Sequence, residues 1–256
     1  MLLSQHRFAF AKVCRMMADG MSDTQSRSDP QGDPIFRFFS EVMLTGGDAT
    51  RLYLIRHAQS QGNTGNDLTS GDPDLTEVGR QQAERLGKRM KSQRLDAIYA
   101  SPLRRTQETA FAIADTMGLD VVPKADLVEV TMGRADYDIR QLPEEEQVSI
   151  ARRIVEDGTW DAFPGSEGSA TARSRVGGVM DEIIAAHPGE RVAVVVHAGF
   201  IQTYVSMVLG LERDFIFYPF NASIASVRAK GDTRVIWRLN DVAHLADMPA
   251  GWGGIS

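Results

Sequence analysis

The strongest constraint on the fold is an uninterrupted apolar run, residues 192–196, that ends at His197. A strand that is apolar at every position must be covered on both faces, which predicts a central strand between two helical layers. A second apolar run, residues 52–55, leads directly into Arg56 and His57. Ligands bind at the carboxyl ends of strands in open α/β sheets, so we expect both histidines at one ligand-binding edge.

From residue 50 onward, strand and helix signals alternate, which predicts parallel βαβ units. Helical spacing predicts a helix from Thr76 to Lys91, followed by a short strand at residues 97–100. The next helix is predicted to begin at Ser101, with Pro102 in its first turn, before a short strand at residues 121–122.

The second half of the chain continues the alternation. Pro143 and the three glutamates after it open a helix whose inward face is predicted to be Val148, Ala151 and Val155. The remaining predicted elements are a helix through residues 172–183, a helix behind the central strand at residues 199–210, and edge strands at residues 223–227 and 234–239. The pattern predicts an α/β fold with three αβα layers around a mostly parallel sheet.

Residues 1–49 are predicted to be a flexible N-terminal extension and linker, and residues 50–256 to be the folded domain. Residues 22–34 are polar, contain two prolines and lack aromatic side chains, which is typical of disorder. Residues 35–44 are apolar again, but they are too few to form a domain.

Composition excludes several classes of partner. The net charge is −6, which disfavours nucleic acid and anionic lipid, and no stretch approaches the ~20 apolar residues of a membrane span. The single cysteine, Cys14, fits a reducing cytoplasm. Histidine spacing disfavours a metal site, so no metal or other cofactor is expected. A homodimer is left open.

Residues 56–63 (RHAQSQGN) hold a cluster of hydrogen-bond donors without a carboxylate. Such a cluster suits an anionic substrate, with phosphate the favoured anion. Two of its members, Gln59 and Ser60, either donate to that phosphate or cap the following turn.

Four segments in order resemble the histidine phosphatase superfamily, the phosphoglycerate mutase-like fold. They read LYLIRHAQSQGN at residues 52–63, YASPLRRTQETA at 99–110, LVEVTMG at 127–133 and VVVHAGFI at 194–201. Each motif is weak alone, but their order and the elements before them make the combination specific over about residues 50–245.

This resemblance implies residue roles. It makes His57 the phosphorylated nucleophile, places three further side chains around the phosphoryl group and makes Glu129 the proton donor. The three are Arg56, Arg105 and His197, and the predicted substrate-binding residues are Asn63, Ser60, Gln59 and Ala198. The chain departs from the family pattern at Ala58, Gln59, Thr106 and residues 164–167, which leaves the roles of Ser166 and Glu167 open.

The chemistry suits these residue types. Guanidinium groups stabilise charge that spreads over a transferring phosphoryl group, and neutral imidazole attacks phosphorus when its second nitrogen is held by an acceptor. A carboxylic acid must protonate the leaving oxygen and then activate water. Arg104 competes with Arg105 for its role, and Asp126 and Asp136 compete with Glu129.

The sequence therefore predicts a metal-independent, cytoplasmic phosphatase that acts through a phosphohistidine on a small phosphorylated metabolite. One alternative is a phosphoglycerate mutase, although residues 63–75 and 129–133 lack the sequences typical of mutases. Another is a non-catalytic phosphate-binding member of the fold. Substrate specificity is expected to lie in residues 129–160.

Overall fold

The computed structural model describes residues 34–65, 71–133 and 142–248. Contacts between residues divide the chain into two units, Met1–Met43 and Leu44–Ser256. The sequence pattern placed the boundary after residue 49. The described part of the first unit is helix α1 (Pro34–Val42), which the sequence pattern did not predict as a helix. Most of the predicted linker lies outside the described residues.

The second unit is built on one six-stranded sheet. Its strands are β1 (Thr50–Arg56), β2 (Ala97–Ala100), β3 (Val121–Pro123), β4 (Arg191–Val196), β5 (Ile224–Lys230) and β6 (Thr233–Asp241). They lie in the order β3-β2-β4-β1-β5-β6, and the pairs among β1 to β4 are parallel. The two remaining pairs, β1 with β5 and β5 with β6, are antiparallel. The mostly parallel sheet is thus confirmed.

Helices cover both faces of this sheet. They are α2 (Glu77–Lys91), α3 (Arg104–Ala114), α4 (Glu144–Asp157), α5 (Ser169–Ala186) and α6 (Ala198–Leu209). Helices α5 and α6 pack on one face, and α2 and α3 pack on the other. This arrangement confirms the three-layer αβα fold. In the described part of the chain, no helix is long and apolar enough to cross a membrane.

Strand β4 occupies the centre, as its apolar sequence predicts. Residues 192–196 are fully buried, and β4 lies between β2 and β1. Arg56 is the register partner of Val196, so the two strands end side by side. The residues that follow, His57 and His197, are therefore neighbours although they are far apart in the chain.

Two helix predictions were wrong in detail. Helix α3 begins at Arg104, and its N-cap is Leu103. Ser101, which directly follows β2, does not cap the helix because its hydroxyl contacts His197. Helix α4 buries Ile150, whereas Val148 is 52% and Val155 is 73% exposed. The predicted apolar stripe of α4 therefore faces away from the core.

We expect deletion of residues 1–42 to leave kcat within about 2-fold of the full-length value, because every predicted catalytic residue lies in the second unit. Steady-state assays with p-nitrophenyl phosphate would measure this ratio. Loss of soluble protein, or a large fall in kcat, would show that the first unit is required for the folded domain.

Candidate active site

His57 follows β1 and is almost fully buried. Its Nδ1 lies 2.7 Å from the carbonyl oxygen of Ala58. A carbonyl only accepts, so Nδ1 carries the proton and Nε2 keeps its lone pair. Ala58 itself has an ordinary negative φ, which explains why alanine is tolerated where the family usually has glycine.

His197 lies next to it, with the two ring centroids 5.3 Å apart. Nη2 of Arg105 lies 3.3 Å from His197 Nδ1, and Nε2 lies 3.0 Å from the Ser101 hydroxyl. Because a guanidinium only donates, Nδ1 accepts and Nε2 donates to Ser101. Burial lowers the pKa of both histidines well below the usual value, and nearby positive charge lowers each pKa further. Both imidazoles are thus neutral near pH 7.

Two guanidinium groups lie near these rings, and the charge of each lowers the pKa of both histidines. Arg56 donates through Nη1 to the Pro219 carbonyl at 2.7 Å, but its buried Nε has no hydrogen-bond partner among the described residues. In the same part of the chain, buried Nη1 of Arg105 also has no hydrogen-bond partner, although the Asp72 carboxylate lies 3.5 Å away. A buried donor without a partner costs about 1–3 kcal/mol, so an anion that accepts from both groups would be stabilised.

The structure separates the two adjacent arginines of α3. The Arg105 side chain is 11% exposed and reaches His197, whereas that of Arg104 is 59% exposed. Arg104 pairs with Asp74 at 2.9 Å and donates its backbone N–H to Asp72. The geometry thus places Arg105, and not Arg104, among the histidines.

Glu129 lies against the first turn of α6. Its carboxylate accepts backbone N–H groups from Val130 at 2.8 Å, Phe200 at 3.1 Å and Gly199 at 3.2 Å. Burial raises the pKa of Glu129, and these hydrogen bonds partly oppose that rise. Of its two competitors, Asp126 is exposed and Asp136 lies outside the described residues.

The predicted substrate-binding residues differ in what they contact. Asn63 Oδ1 accepts from Ser60 and from Asn221, which leaves its Nδ2 as the group for a ligand. The Ser60 hydroxyl is used in that contact, and Gln59 accepts from Thr76 at 2.8 Å. Ser60 and Gln59 therefore hold the loop together. Ala198 begins α6 and lies next to His197.

Asn221 is a site residue that sequence reasoning missed. It is fully buried, and its Nδ2 donates to the His57 carbonyl at 3.1 Å and to Asn63 at 3.0 Å. These two contacts hold together the ends of the loop from His57 to Asn63, although Asn221 and His57 are 164 positions apart in the sequence. The only local signal is a polar residue three positions before β5 begins at Ile224, which is too weak to predict the contact.

Ser166 and Glu167, whose roles the sequence left open, support the loop that carries Glu129. Glu167 forms a 2.6 Å ion pair with Arg175 and accepts the Thr131 N–H at 3.0 Å. Arg175 also donates to the Val128 carbonyl at 2.9 Å. The Ser166 hydroxyl donates to the Trp160 carbonyl at 2.7 Å. These contacts hold the chain on both sides of Glu129.

Five titratable groups thus meet at the carboxyl edge of the sheet: His57, His197, Arg56, Arg105 and Glu129. Electrostatic interactions connect them, since Arg56 acts on the pKa of both histidines and of Glu129. Within the described ranges, no three His, Cys, Asp or Glu side chains are arranged to hold a metal ion. The site can bind an anion and supply a neutral nucleophile and a carboxylic acid.

Comparison with known proteins agrees with this site. The family model described as histidine phosphatase superfamily (branch 1) matches residues 52–242, and the chain belongs to this family. Phosphoserine phosphatase 1 of Hydrogenobacter thermophilus is 32% identical over 77% of this chain and 95% of its own length. The resemblance predicted from the four motifs is confirmed, and the chain is a phosphatase of this family.

This chain is also similar to two further proteins. A protein of Yersinia enterocolitica named probable phosphoglycerate mutase GpmB is 31% identical over 78% of this chain and 96% of its own length. The solved structure of Bacillus stearothermophilus YhfR superposes with a TM-score of 0.65 at 26% identity. That comparison covers 77% of this chain and all of the Bacillus chain.

Gly199 is required for the position of Glu129. A Cβ at this residue would lie 2.7 Å from Glu129 Oε1 and 3.0 Å from Cη2 of Trp160. Trp160 cannot move easily, because it is buried and its Nε1 donates to Thr203 at 2.8 Å. An added methyl group would therefore displace the carboxylate.

We expect Gly199→Ala to lower kcat/KM for an alkyl phosphate by roughly 10-fold or more, because general acid catalysis contributes about 10²–10⁴-fold. The loss should resemble that of Glu129→Gln and be much smaller for p-nitrophenyl phosphate, whose leaving group needs no proton. Gly178→Ala is the control, since nothing lies within 4 Å of its Cβ position. Equal losses on both substrates would indicate that Glu129 is not the acid.

Proposed function

We propose that this chain hydrolyses phosphomonoesters of small metabolites through a phosphohistidine at His57. One observation carries the proposal: a neutral, buried histidine with an unprotonated Nε2 lies close enough to two guanidinium groups for their charge to lower its pKa, and each group has a buried N–H without a partner among the described residues. This combination provides a nucleophile and a set of donors for the phosphoryl oxygens.

In the first step, His57 Nε2 attacks phosphorus in line and the bond from phosphorus to the ester oxygen breaks. The proton on Nδ1 stays hydrogen-bonded to the Ala58 carbonyl, which stabilises the positive charge that develops on the ring. Glu129 donates its proton to the leaving oxygen, and its raised pKa favours the protonated form this step requires. The products are a phosphohistidine and an alcohol.

In the second step, the Glu129 carboxylate takes a proton from water, and the oxygen of that water attacks the phosphohistidine. The bond from phosphorus to Nε2 breaks, which releases inorganic phosphate and restores neutral His57. Arg56 and Arg105 supply the positive charge for both steps, and His197 holds the Arg105 guanidinium in place. The proposed mechanism needs no metal ion for charge neutralisation.

Trapping the intermediate tests this mechanism. Acid-labile, alkali-stable label from a ³²P ester should appear on His57 of the quenched wild-type protein, and His57→Ala should have neither label nor turnover. Activity should also persist in EDTA, because the arginines neutralise the phosphoryl charge. Label on serine or aspartate would contradict the mechanism, and absence of turnover in the wild type would favour a non-catalytic phosphate-binding protein.

A mutase is the second candidate, supported by the similarity to the Yersinia protein. Such an enzyme must shield its phosphohistidine from water and hold a doubly anionic intermediate. Here the Asp72 carboxylate lies 3.5 Å from Arg105, and Asp74 pairs with the neighbouring Arg104. Carboxylates in this position disfavour such an anion and favour release of free phosphate.

We therefore expect little exchange between 2- and 3-phosphoglycerate, even when bisphosphoglycerate primes the enzyme. Phosphate release and isomerisation should be measured in the same reaction by ³¹P NMR. Isomerisation faster than release would make the mutase assignment correct, whereas the roles proposed for His57 and Glu129 would stay the same.

Phosphoserine is the first natural ester to test, because the Hydrogenobacter relative is named for it. Specificity is proposed to depend on residues 129–160, of which residues 134–141 lie outside the described ranges. We infer a cytoplasmic location from the single cysteine and propose no nucleic acid or membrane partner. Association into a homodimer stays a prediction.

A further inference from the structure

A pocket of about 340 Å³ lies between the end of α2 and strands β1, β5 and β6. None of its lining residues belongs to the active site described above. Four of them are arginines: Arg51, Arg89, Arg228 and Arg238. Among the residues that the structure describes, Asp241 is the one acidic residue that lines it, so the pocket has a large excess of positive charge.

Two of these arginines lie directly opposite each other. Arg51 on β1 is the antiparallel register partner of Arg228 on β5, and both line the pocket. Like charges in directly opposed positions of a sheet destabilise it. Burial lowers the pKa of Arg228, and the charge of Arg51 lowers that pKa further. The folded protein thus bears an electrostatic cost that a bound anion would remove.

Contacts within the described residues do not neutralise the pair. The Arg228 guanidinium lies 3.7 Å from the centre of the Trp237 ring and donates to the Leu44 carbonyl at 2.7 Å. Those partners carry no negative charge. Arg51 forms no ion pair in the described part of the chain, while Arg89 and Arg238 share Asp241 at 3.4 Å each.

We propose that this pocket binds a small polyanion that carries two or more linked phosphate groups. Four guanidinium groups around one cavity exceed what a single phosphate can pair with, whereas a diphosphate or triphosphate offers enough acceptors. The volume lies at the lower end of the ~300–1,000 Å³ range of small-molecule sites. Tyr53 and Trp237 add aromatic surface for an organic part of the ligand.

Calorimetric titration of the full-length protein with methylenediphosphonate, a diphosphate analogue that resists hydrolysis, tests this proposal. The wild type should show two binding events, one at the active site and one at the pocket. Arg51→Gln should weaken only the pocket event by ~10–100-fold, which corresponds to one charged hydrogen-bonding group. Arg105→Ala should remove only the active-site event.

Two further variants keep the result interpretable. Arg238→Gln changes a side chain that is 62% exposed and should also weaken the pocket event, so the proposal does not depend on the stability of one variant. Arg80→Gln is the matched control, because Arg80 is an exposed arginine on α2 that does not line the pocket. It should leave both events unchanged.

A single binding event that Arg105→Ala removes and Arg51→Gln leaves unchanged would overturn the proposal. A parallel titration with the β,γ-methylene analogue of ATP identifies the source of the phosphates. If the ATP analogue binds more tightly than methylenediphosphonate, the ligand is a nucleotide that also contacts the aromatic surface. Equal binding would support recognition of the linked phosphates alone.

Discussion

The site depends on the parallel pairing of β1 with β4. In this register Arg56 lies opposite Val196, and the His57 N–H donates to the Val196 carbonyl at 2.9 Å. The two strands therefore end together, and the next residue of each is a histidine. The pairing is stabilised by complete burial of residues 192–196, which excludes competing hydrogen bonds with water. A shift of one residue would turn one histidine to the other face of the sheet.

Burial at this edge has opposite effects on the two kinds of titratable group. It lowers the pKa of His57 and His197 and raises that of Glu129, because in every case the charged form loses solvation. The bases are thereby neutral and the acid favours its proton, which are the states that the proposed first step requires. Arg56 and Arg105 each have a buried donor without a hydrogen-bond partner among the described residues, so the site is complementary to an anion.

The unit formed by β4 and α6 supports both His197 and the acid Glu129. His197 follows the strand, and the first turn of α6 donates two backbone N–H groups to Glu129. Gly199 permits this close approach because it lacks a Cβ. Asn221 holds the loop that carries His57, and the Glu167–Arg175 ion pair supports the loop that carries Glu129. Rigid elements position the reacting groups, and the loops are held by hydrogen bonds.

The sequence by itself determined the layers, the central strand and the two histidines, because burial periodicity and strand ends are local properties of the chain. It also identified Glu129 as the candidate acid, through a family resemblance. The same resemblance favoured Arg105 over Arg104, and the structure shows the contact of Arg105 with His197. Only the tertiary structure decided that Gln59 and Ser60 hold a loop and that α4 packs through Ile150. It alone brought Asn221 to His57 and Arg51 opposite Arg228. These contacts join residues distant in sequence, and their partners are set by strand register and helix packing, which local pattern does not encode.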